Sequence, residues 1–369
     1  MNRLFGWKQT GLFLLALAAG ILPFAVPEVC AAALREGLTL CSGPLLLSLF
    51  PFLVVSRLLI QCPESDLLAL PFRLAAWGIG IRTPCAARVL CIGFLGGFAP
   101  AASAAAQAVR TGQLTAEEAD ALLPACICSG PSFVVLTVGQ SLLGSAELGV
   151  LLFAAQITAN YLTAALLNRF AGVHSVKSGS AAPASPAPPR LDETLADAAI
   201  TYCKLCGFIL FFRMLAAGAG ALLPAGAGTL CAILLEVCSG CDLASRTGRW
   251  GSLLCCAALS VQGLSVLLQV RTICPPEMTL RPLYRARMLH LPLSLALFYL
   301  LLPGGEADVF STLPARVLLM RRVPPDCALL VFAVCCMAAC TLRSGIRQVE
   351  QKQMARNAGG CCINSKTLL

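Results

Sequence analysis

The chain has 369 residues, of which 58% are hydrophobic and only 12% are charged, with a net charge of +9 and a mean hydropathy of +0.81. Soluble domains carry roughly 25% charged residues, so this composition excludes an ordinary soluble fold. The Lys and Arg residues form no clustered arm with interleaved aromatic residues. We therefore attribute the positive charge to orientation in a membrane and predict no nucleic-acid partner.

Apolar runs follow one another along most of the chain. They lie near 11–27, 43–61, 67–82, 88–109, 121–143 and 147–169, and then near 201–219, 220–238, 250–270, 287–303 and 325–342. Each is long enough, or nearly so, for a helix that crosses a bilayer in about 20 residues. Strand-like alternation is absent, and helices satisfy their own backbone groups in lipid. The sequence therefore predicts an all-α, polytopic membrane protein.

A segment rich in Ser, Ala and Pro interrupts the apolar runs and is typical of a flexible linker. It divides the chain into an N-terminal membrane half (1–171), the linker (172–191), a C-terminal membrane half (192–343) and a tail (344–369). Lys and Arg flank the linker and follow the last apolar run. Linker and tail are therefore predicted to be cytoplasmic, so that each half crosses an even number of times.

Five apolar runs in the second half violate this parity, unless 220–238 dips into the membrane and returns. The same reasoning applied to 43–61 and 121–143 places Arg82 and Arg88 inside and the acidic residues at 117–120 outside. The prediction is about eight crossings plus two or three re-entrant or broken helices, with a two-repeat architecture as one option.

A Cys-Ser-Gly tripeptide recurs at residues 41–43, 128–130 and 238–240. Pro follows the first two copies, and proline is favoured at the first residue of a helix. A helix that starts at membrane depth presents free N–H groups and a positive dipole end to an anion or polar ligand. The predicted substrate-binding residues here are Ser42, Gly43 and Pro44, opposite Ser129, Gly130 and Pro131. The alternative is a pair of kinked helices repaired by their neighbours.

Polar residues inside apolar runs are costly unless they face a partner or water. Gln156 and Asn160 share one helical face, and Gln262, Ser265 and Gln269 share another. Such faces either line a transport path or join helices through side-chain hydrogen bonds, and the sequence leaves both interpretations open.

Glu236 is the carboxylate that lies deep in the second half. It is predicted to line the path with Gln262, Ser265 and Gln269, and Arg213 and Arg287 are its candidate partners in an ion pair.

Signals of catalysis and of metal binding are weak. Two C-x-x-C spacings begin at Cys203 and Cys238, but the chain has only two histidines, so no metal site or other cofactor is predicted. The ATP-binding pattern G-x-x-x-x-G-K-[ST] is absent, which argues against primary pumping by this chain alone. The sequence therefore predicts no enzyme.

Several motifs resemble those of the YlbJ family of sporulation integral membrane proteins, within the nucleoside-recognition (Gate) membrane-domain group. The similar stretches are 49–56, 112–119, 128–133 with 138–139, 235–240, 263–266 with 269–270, and 287–290. Their order and spacing agree from about residue 10 to 345. One departure is Gly97-Phe98-Ala99-Pro100, where the family usually has an aromatic-Pro-x-Gly element.

This resemblance implies passage of a small polar or anionic metabolite through a bacterial cell membrane during spore formation, in the mother cell or the forespore, with dipicolinate as leading candidate. A nucleoside-type carrier and a non-transport scaffold in spore-envelope assembly are the alternatives. The implied partners are a small-molecule substrate and the lipid bilayer, with a homo-oligomer as a further option.

Overall fold

The computed structural model describes residues 2–62, 65–171 and 191–302. Every regular element in these ranges is a helix, which confirms the all-α class. The first half contains α1 (Asn2–Ala25), α2 (Pro27–Ser42), α3 (Pro44–Gln61), α4 (Ser65–Leu68), α5 (Phe72–Ile79), α6 (Pro84–Gly96), α7 (Phe98–Arg110), α8 (Ala116–Cys126), a π-helix (Ser132–Leu142) and α9 (Ala146–Ala171). The second contains α10 (Leu191–Leu222), α11 (Ala225–Leu235), α12 (Val237–Ser245), a 3₁₀ turn (Gly248–Trp250), α13 (Gly251–Val261), α14 (Gly263–Ile273) and α15 (Arg281–Leu301).

Four helical segments of the described chain are long and apolar enough to cross a bilayer, or five if the pair α5 and α6, bent by 111°, is counted as one span. The four are Pro27–Leu47, Ala146–Ala171, Leu191–Leu222 and Gly248–Ile273. Large apolar side chains also point outward from the bundle, as expected for a surface that faces lipid. They include Phe24, Trp77, Phe170 and Trp250. The predicted run 325–342, the linker segment 172–190 and the tail lie outside the described residues, so the count of eight crossings stays a prediction.

Helices α6 and α7 form a hairpin, which we call hairpin 1, with its tip at Gly97. A Cβ built on Gly93 in α6 would lie 3.2 Å from the Cβ of Ala101 in α7. Residues this far apart in one continuous helix would be separated by about 12 Å. The two helices therefore fold back on each other, so the run 88–109 is a helical hairpin rather than one continuous helix.

Helices α11 and α12 form hairpin 2, with its tip at Glu236. A Cβ on Gly240 would lie 2.8 Å from the Cα of Ile233, which again requires the two helices to pack side by side. This hairpin corresponds to the predicted re-entrant segment 220–238, moved along the chain to 225–245 because α10 continues to Leu222.

Each hairpin is followed by what we call a broken span, a pair of consecutive helices separated by a short break. Broken span 1 is α8 and the π-helix, interrupted at 127–130, and it runs antiparallel to α9. Gly149 near the start of α9 lies against Val135 of the π-helix, whereas Asn168 near its end donates to the carbonyl of Ala121 at 3.1 Å. Broken span 2 is α13 and α14, interrupted at Gln262.

The two hairpins start from opposite ends of the bundle. We call the end of the bundle where α9 ends and α10 begins the linker end. Both ends of hairpin 1 lie at the linker end, since Thr83 before α6 donates to Glu118 of α8 at 2.8 Å. Hairpin 2 starts at the far end of α10, where a Cβ on Gly228 would lie 3.0 Å from the Cα of Gly220. The fold is therefore a pair of inverted repeats, each made of a hairpin and a broken span.

This topology corrects two predictions. Residues 44–61 form one helix, α3, rather than a re-entrant segment. Arg88 also lies at the same end as the acidic residues at 117–120, because it donates to Gln113 at 2.9 Å and pairs with Asp66 at 3.0 Å. Positive and negative charges were predicted to separate across the membrane because 88–109 was counted as a crossing.

Candidate functional site

The tip of hairpin 1 lies in the break of broken span 1, and we call this contact the first crossing. Gly97 has φ +81°, and a Cβ there would come within 2.7 Å of the Gly130 nitrogen and 3.2 Å of the Cys128 carbonyl oxygen. Only glycine allows both that dihedral angle and that approach. Ser129 is buried in the break, and helical backbone resumes at Pro131, as the sequence predicted, directly before the π-helix.

The tip of hairpin 2 lies in the break of broken span 2 in the same way, and this is the second crossing. Gly263 has φ +69°, and a Cβ there would lie 2.9 Å from the Glu236 nitrogen. Gln262 also has a positive φ, 61°, and its side chain is almost fully buried. The predicted face of Gln262, Ser265 and Gln269 is therefore interrupted, because Gln262 is the break itself.

Glu236 caps α12. Its carboxylate accepts from the backbone N–H of Cys238 at 2.8 Å and from the N–H and hydroxyl of Ser239 at 2.7 and 2.9 Å. Such a cap satisfies orphan donors at a helix start and neutralises the positive end of the dipole. The predicted ion pair is not formed, since Arg213 instead donates to Glu36 at 2.7 Å.

Arg287 is a buried cation at the centre of the bundle. It donates to the carbonyl of Ile127 at the end of α8 and to that of Ser260, at 3.3 Å, near the end of α13. Both acceptors lie at helix C-termini, where the dipole is negative. Within the described residues no carboxylate forms an ion pair with Arg287, so its charge is met only by helix ends.

Side chains of α9 and α15 complete a polar network around Arg287. Gln156 donates to Ser260 at 2.9 Å, and Asn160 donates at 3.3 Å to the Ile127 carbonyl that Arg287 also uses. A ring nitrogen of His290 lies 3.2 Å from the carbonyl of Gln156. The predicted pair Gln156 and Asn160 therefore faces both breaks at once.

Several buried polar atoms in this region have no hydrogen-bond partner within the described part of the protein. They are Gln156 Oε1, Asn160 Oδ1, Thr163 Oγ1, Gln262 Oε1 and Nε2, Gln269 Oε1, Arg287 Nε and His290 Nδ1. Each such atom costs about 1–3 kcal/mol if it stays unmatched, and native proteins hold few of them. Their concentration around two backbone breaks is what a site for a polar ligand provides.

Ser265 and Gln269 lie on the buried face of α14 below the second break. Gln269 donates to the hydroxyl of Ser265 at 2.9 Å, and its own carbonyl oxygen is unpaired. The predicted polar face thus exists over this part of the helix, with one acceptor left for a ligand.

Ser42, Gly43 and Pro44 do not face the first break, although the adjacent Cys41 lies close enough to Glu236 and Cys238 of hairpin 2 to interact electrostatically with both. Ser42 is exposed, and its hydroxyl donates to the carbonyl of Leu38 in its own helix at 2.8 Å. Gly43 is buried between α2 and α3, and Pro44 begins α3 as predicted. The position opposite Gly130 is taken by Gly97, because hairpin 1 inserts there.

Arg287 and Gly97 are the central residues that the sequence reading placed elsewhere. Arg287 was predicted only as a candidate ion-pair partner of Glu236, and it lies six residues inside α15. Gly97 stood out only as part of a departure from a family motif. A usable signal was the pairing of Gly96 with Gly97 inside an apolar run, which parallels Gln262 with Gly263.

No protein-family model, curated protein or solved structure matches this chain. The resemblance to the YlbJ family therefore stays a proposal, and the geometry of the two crossings carries the functional conclusion.

Proposed function

We propose that this protein is a membrane transporter for a small polar or anionic metabolite, which binds between the two crossings. The observation that carries the proposal is the cluster of buried, unpartnered polar atoms around Arg287 and Gln262. Broken helices and re-entrant segments at membrane depth are tolerated where they are buried in protein or line a cavity, and in transporters such segments form the substrate site.

The charge of the site favours an anionic group on the solute. Arg287 is buried among helix-end carbonyls, and no carboxylate among the described residues pairs with it. The π-helix that begins after Pro131 has no side-chain cap. A buried cation that is balanced only by helix-end carbonyls still carries a desolvation cost, and an anion lowers that cost. A guanidinium with free N–H groups also meets a carboxylate bidentately.

Dipicolinate, a planar dicarboxylate, is the substrate we propose, with a role in spore formation. The support is the resemblance of 128–133, 235–240 and 287–290 to the YlbJ family, because these stretches supply the first break, the tip of hairpin 2 and Arg287.

The test is uptake of labelled dipicolinate, and separately of a labelled nucleoside, into proteoliposomes that contain the full chain. We expect dipicolinate to enter well above the level of empty vesicles. Entry of the nucleoside alone would replace the substrate but keep the transporter. If neither compound enters although circular dichroism shows that the protein is folded, the transport proposal is refuted and the scaffold hypothesis remains.

Variants in the breaks locate the site. The double substitution Ser129→Leu/Gly130→Leu fills the first crossing, and Glu236→Gln weakens the second. The matched control is Ser141→Leu, at the exposed far end of the π-helix. We expect uptake to fall in the first two and to be retained in the control.

A further inference from the structure

A basic cleft at the linker end of the bundle lies outside the site already described. It has a volume of about 160 Å³ and is lined by Arg57, Arg110 and Lys204, with Asp197, Thr201 and Thr272 among the other lining residues. Three cations therefore face one carboxylate. A space of this size holds about five water volumes, which suits a small hydrated anion.

The cleft is built where the two halves meet. Arg57 of α3 is buried and donates to Asp197 at 2.6 Å and to Thr201 at 3.2 Å, both in α10. It also donates to Ser103 of α7 at 3.1 Å. A guanidinium has five N–H donors, so this fixed side chain retains donors for a ligand while Arg110 and Lys204 remain exposed.

The cleft also lies at the membrane boundary rather than inside the hydrocarbon. Helix α10 has 32 residues and a length of about 48 Å, which exceeds a hydrocarbon core of about 30 Å. Its polar first turns, which carry Asp197, therefore extend past the core at the linker end. Arg110 ends α7, and Thr272 lies in the last turn of α14 at the same level.

A polar stripe on α14 joins this cleft to the second crossing. Ser265, Gln269 and Thr272 follow one another on one helical face below Gln262, and Thr272 donates to the carbonyl of Gln269 at 2.8 Å. The distance from Gln262 to Thr272 along the helix axis is about 15 Å. The break and the cleft are therefore the two ends of one polar track.

We infer that the cleft is a docking site for a carboxylate or phosphate oxyanion, where the solute is captured at the linker end before it enters the track. The inference rests on the proposed transport function, and it adds a second anion site whose loss should affect capture and leave the central site intact.

The variant that tests it is Arg110→Gln/Lys204→Gln, which leaves the structural contacts of Arg57 in place. The matched control is Arg169→Gln/Arg285→Gln, which removes two exposed charges from the same end without touching the cleft. In proteoliposomes we expect the cleft variant to raise KM for dipicolinate about tenfold with kcat unchanged, because two exposed cations that attract the anion are lost. The control should match the unmodified protein, and equal KM values in both double variants would refute the cleft.

Direct binding separates the cleft from the central site. In an Arg287→Gln background, calorimetric titration of inorganic phosphate and of dipicolinate into protein in neutral phosphatidylcholine nanodiscs reports on the cleft. We expect Arg110→Gln/Lys204→Gln to weaken this binding about tenfold, and Asp197→Asn, which removes the competing carboxylate, to strengthen it several-fold.

The outcomes distinguish the two proposals. If the cleft variant takes up dipicolinate with an unchanged KM, the docking site is refuted and the transport function stands. Binding that depends on Arg110 and Lys204, without uptake in any protein, keeps the docking site and overturns the transporter. If nanodiscs with phosphatidylglycerol show lipid retention that depends on these residues, while neither soluble anion binds, the cleft holds a lipid headgroup and the docking of a solute is refuted.

Discussion

Gly263 lies directly against the backbone of Glu236, so that a Cβ on the glycine would stand 2.9 Å from the Glu236 nitrogen. Gly97 has the same relationship to Gly130 in the other half, at 2.7 Å. In both repeats a glycine with positive φ lets a hairpin tip and a broken span touch backbone to backbone. In each half, the backbone of the hairpin tip therefore fills the break in the broken span.

Substitution of either glycine should open its crossing. We expect Gly97→Ala and Gly263→Ala to destabilise the protein by about 2–4 kcal/mol, from overpacking together with strain at positive φ. Thermal unfolding of the detergent-solubilised protein measures this. Gly248→Ala is the control, because Gly248 has φ +64° with open space around it, and should cost only about 1 kcal/mol. Equal effects at all three positions would mean that the close contacts do not matter.

Arg287→Gln should separate function from stability. The substitution removes a buried charge while it keeps a donor for one of the two carbonyls, so we expect the free energy of unfolding to change by no more than about 1 kcal/mol. Uptake of the anion should fall at least about tenfold. Arg285→Gln, an exposed neighbour on α15, is the control for charge. A large loss of stability in Arg287→Gln would show that the arginine only holds the helix ends together.

Glu236→Gln should weaken the start of α12. The amide has a single acceptor oxygen in place of the two that now receive three hydrogen bonds, so we expect a loss of about 1–2 kcal/mol. Asp242→Asn on the same helix is the comparison, because its ion pair with Arg246 is partly exposed and contributes about 0.3–0.5 kcal/mol. Thermal unfolding with both variants under one set of conditions gives the difference, and no difference would remove the capping role.

Gln269→Leu tests whether the polar face of α14 lines a path or joins helices. The substitution removes an unpaired buried oxygen but also leaves the buried hydroxyl of Ser265 without its donor, so we expect the two effects to offset within about 1 kcal/mol while uptake falls. Asn168→Leu is the contrasting case, because Asn168 donates at 3.1 Å to the carbonyls of both Ile79 and Ala121. That variant should lose about 1–3 kcal/mol of stability. If Gln269→Leu behaves like Asn168→Leu, the face is structural.

The helical membrane class followed from composition alone, because no soluble fold buries so much apolar surface. Local signals also located the helix starts at Pro44 and Pro131, since proline at the first position is a property of the nearby chain. The faces at Gln156 with Asn160 and at Ser265 with Gln269 were visible from their helical spacing and are buried as expected.

What the sequence determined by itself was where the helices are apolar and where they break, since hydropathy, proline and glycine act over a few residues. Only the tertiary structure decided what each break faces. Whether 88–109 crosses the membrane or returns depends on contacts such as that between Gly93 and Ala101, and Arg287 becomes central only because the ends of α8 and α13 converge on it. The pairing of Gly97 with Gly130, and of Gly263 with Glu236, joins residues far apart in the chain, and such non-local contacts leave no periodic trace in the sequence.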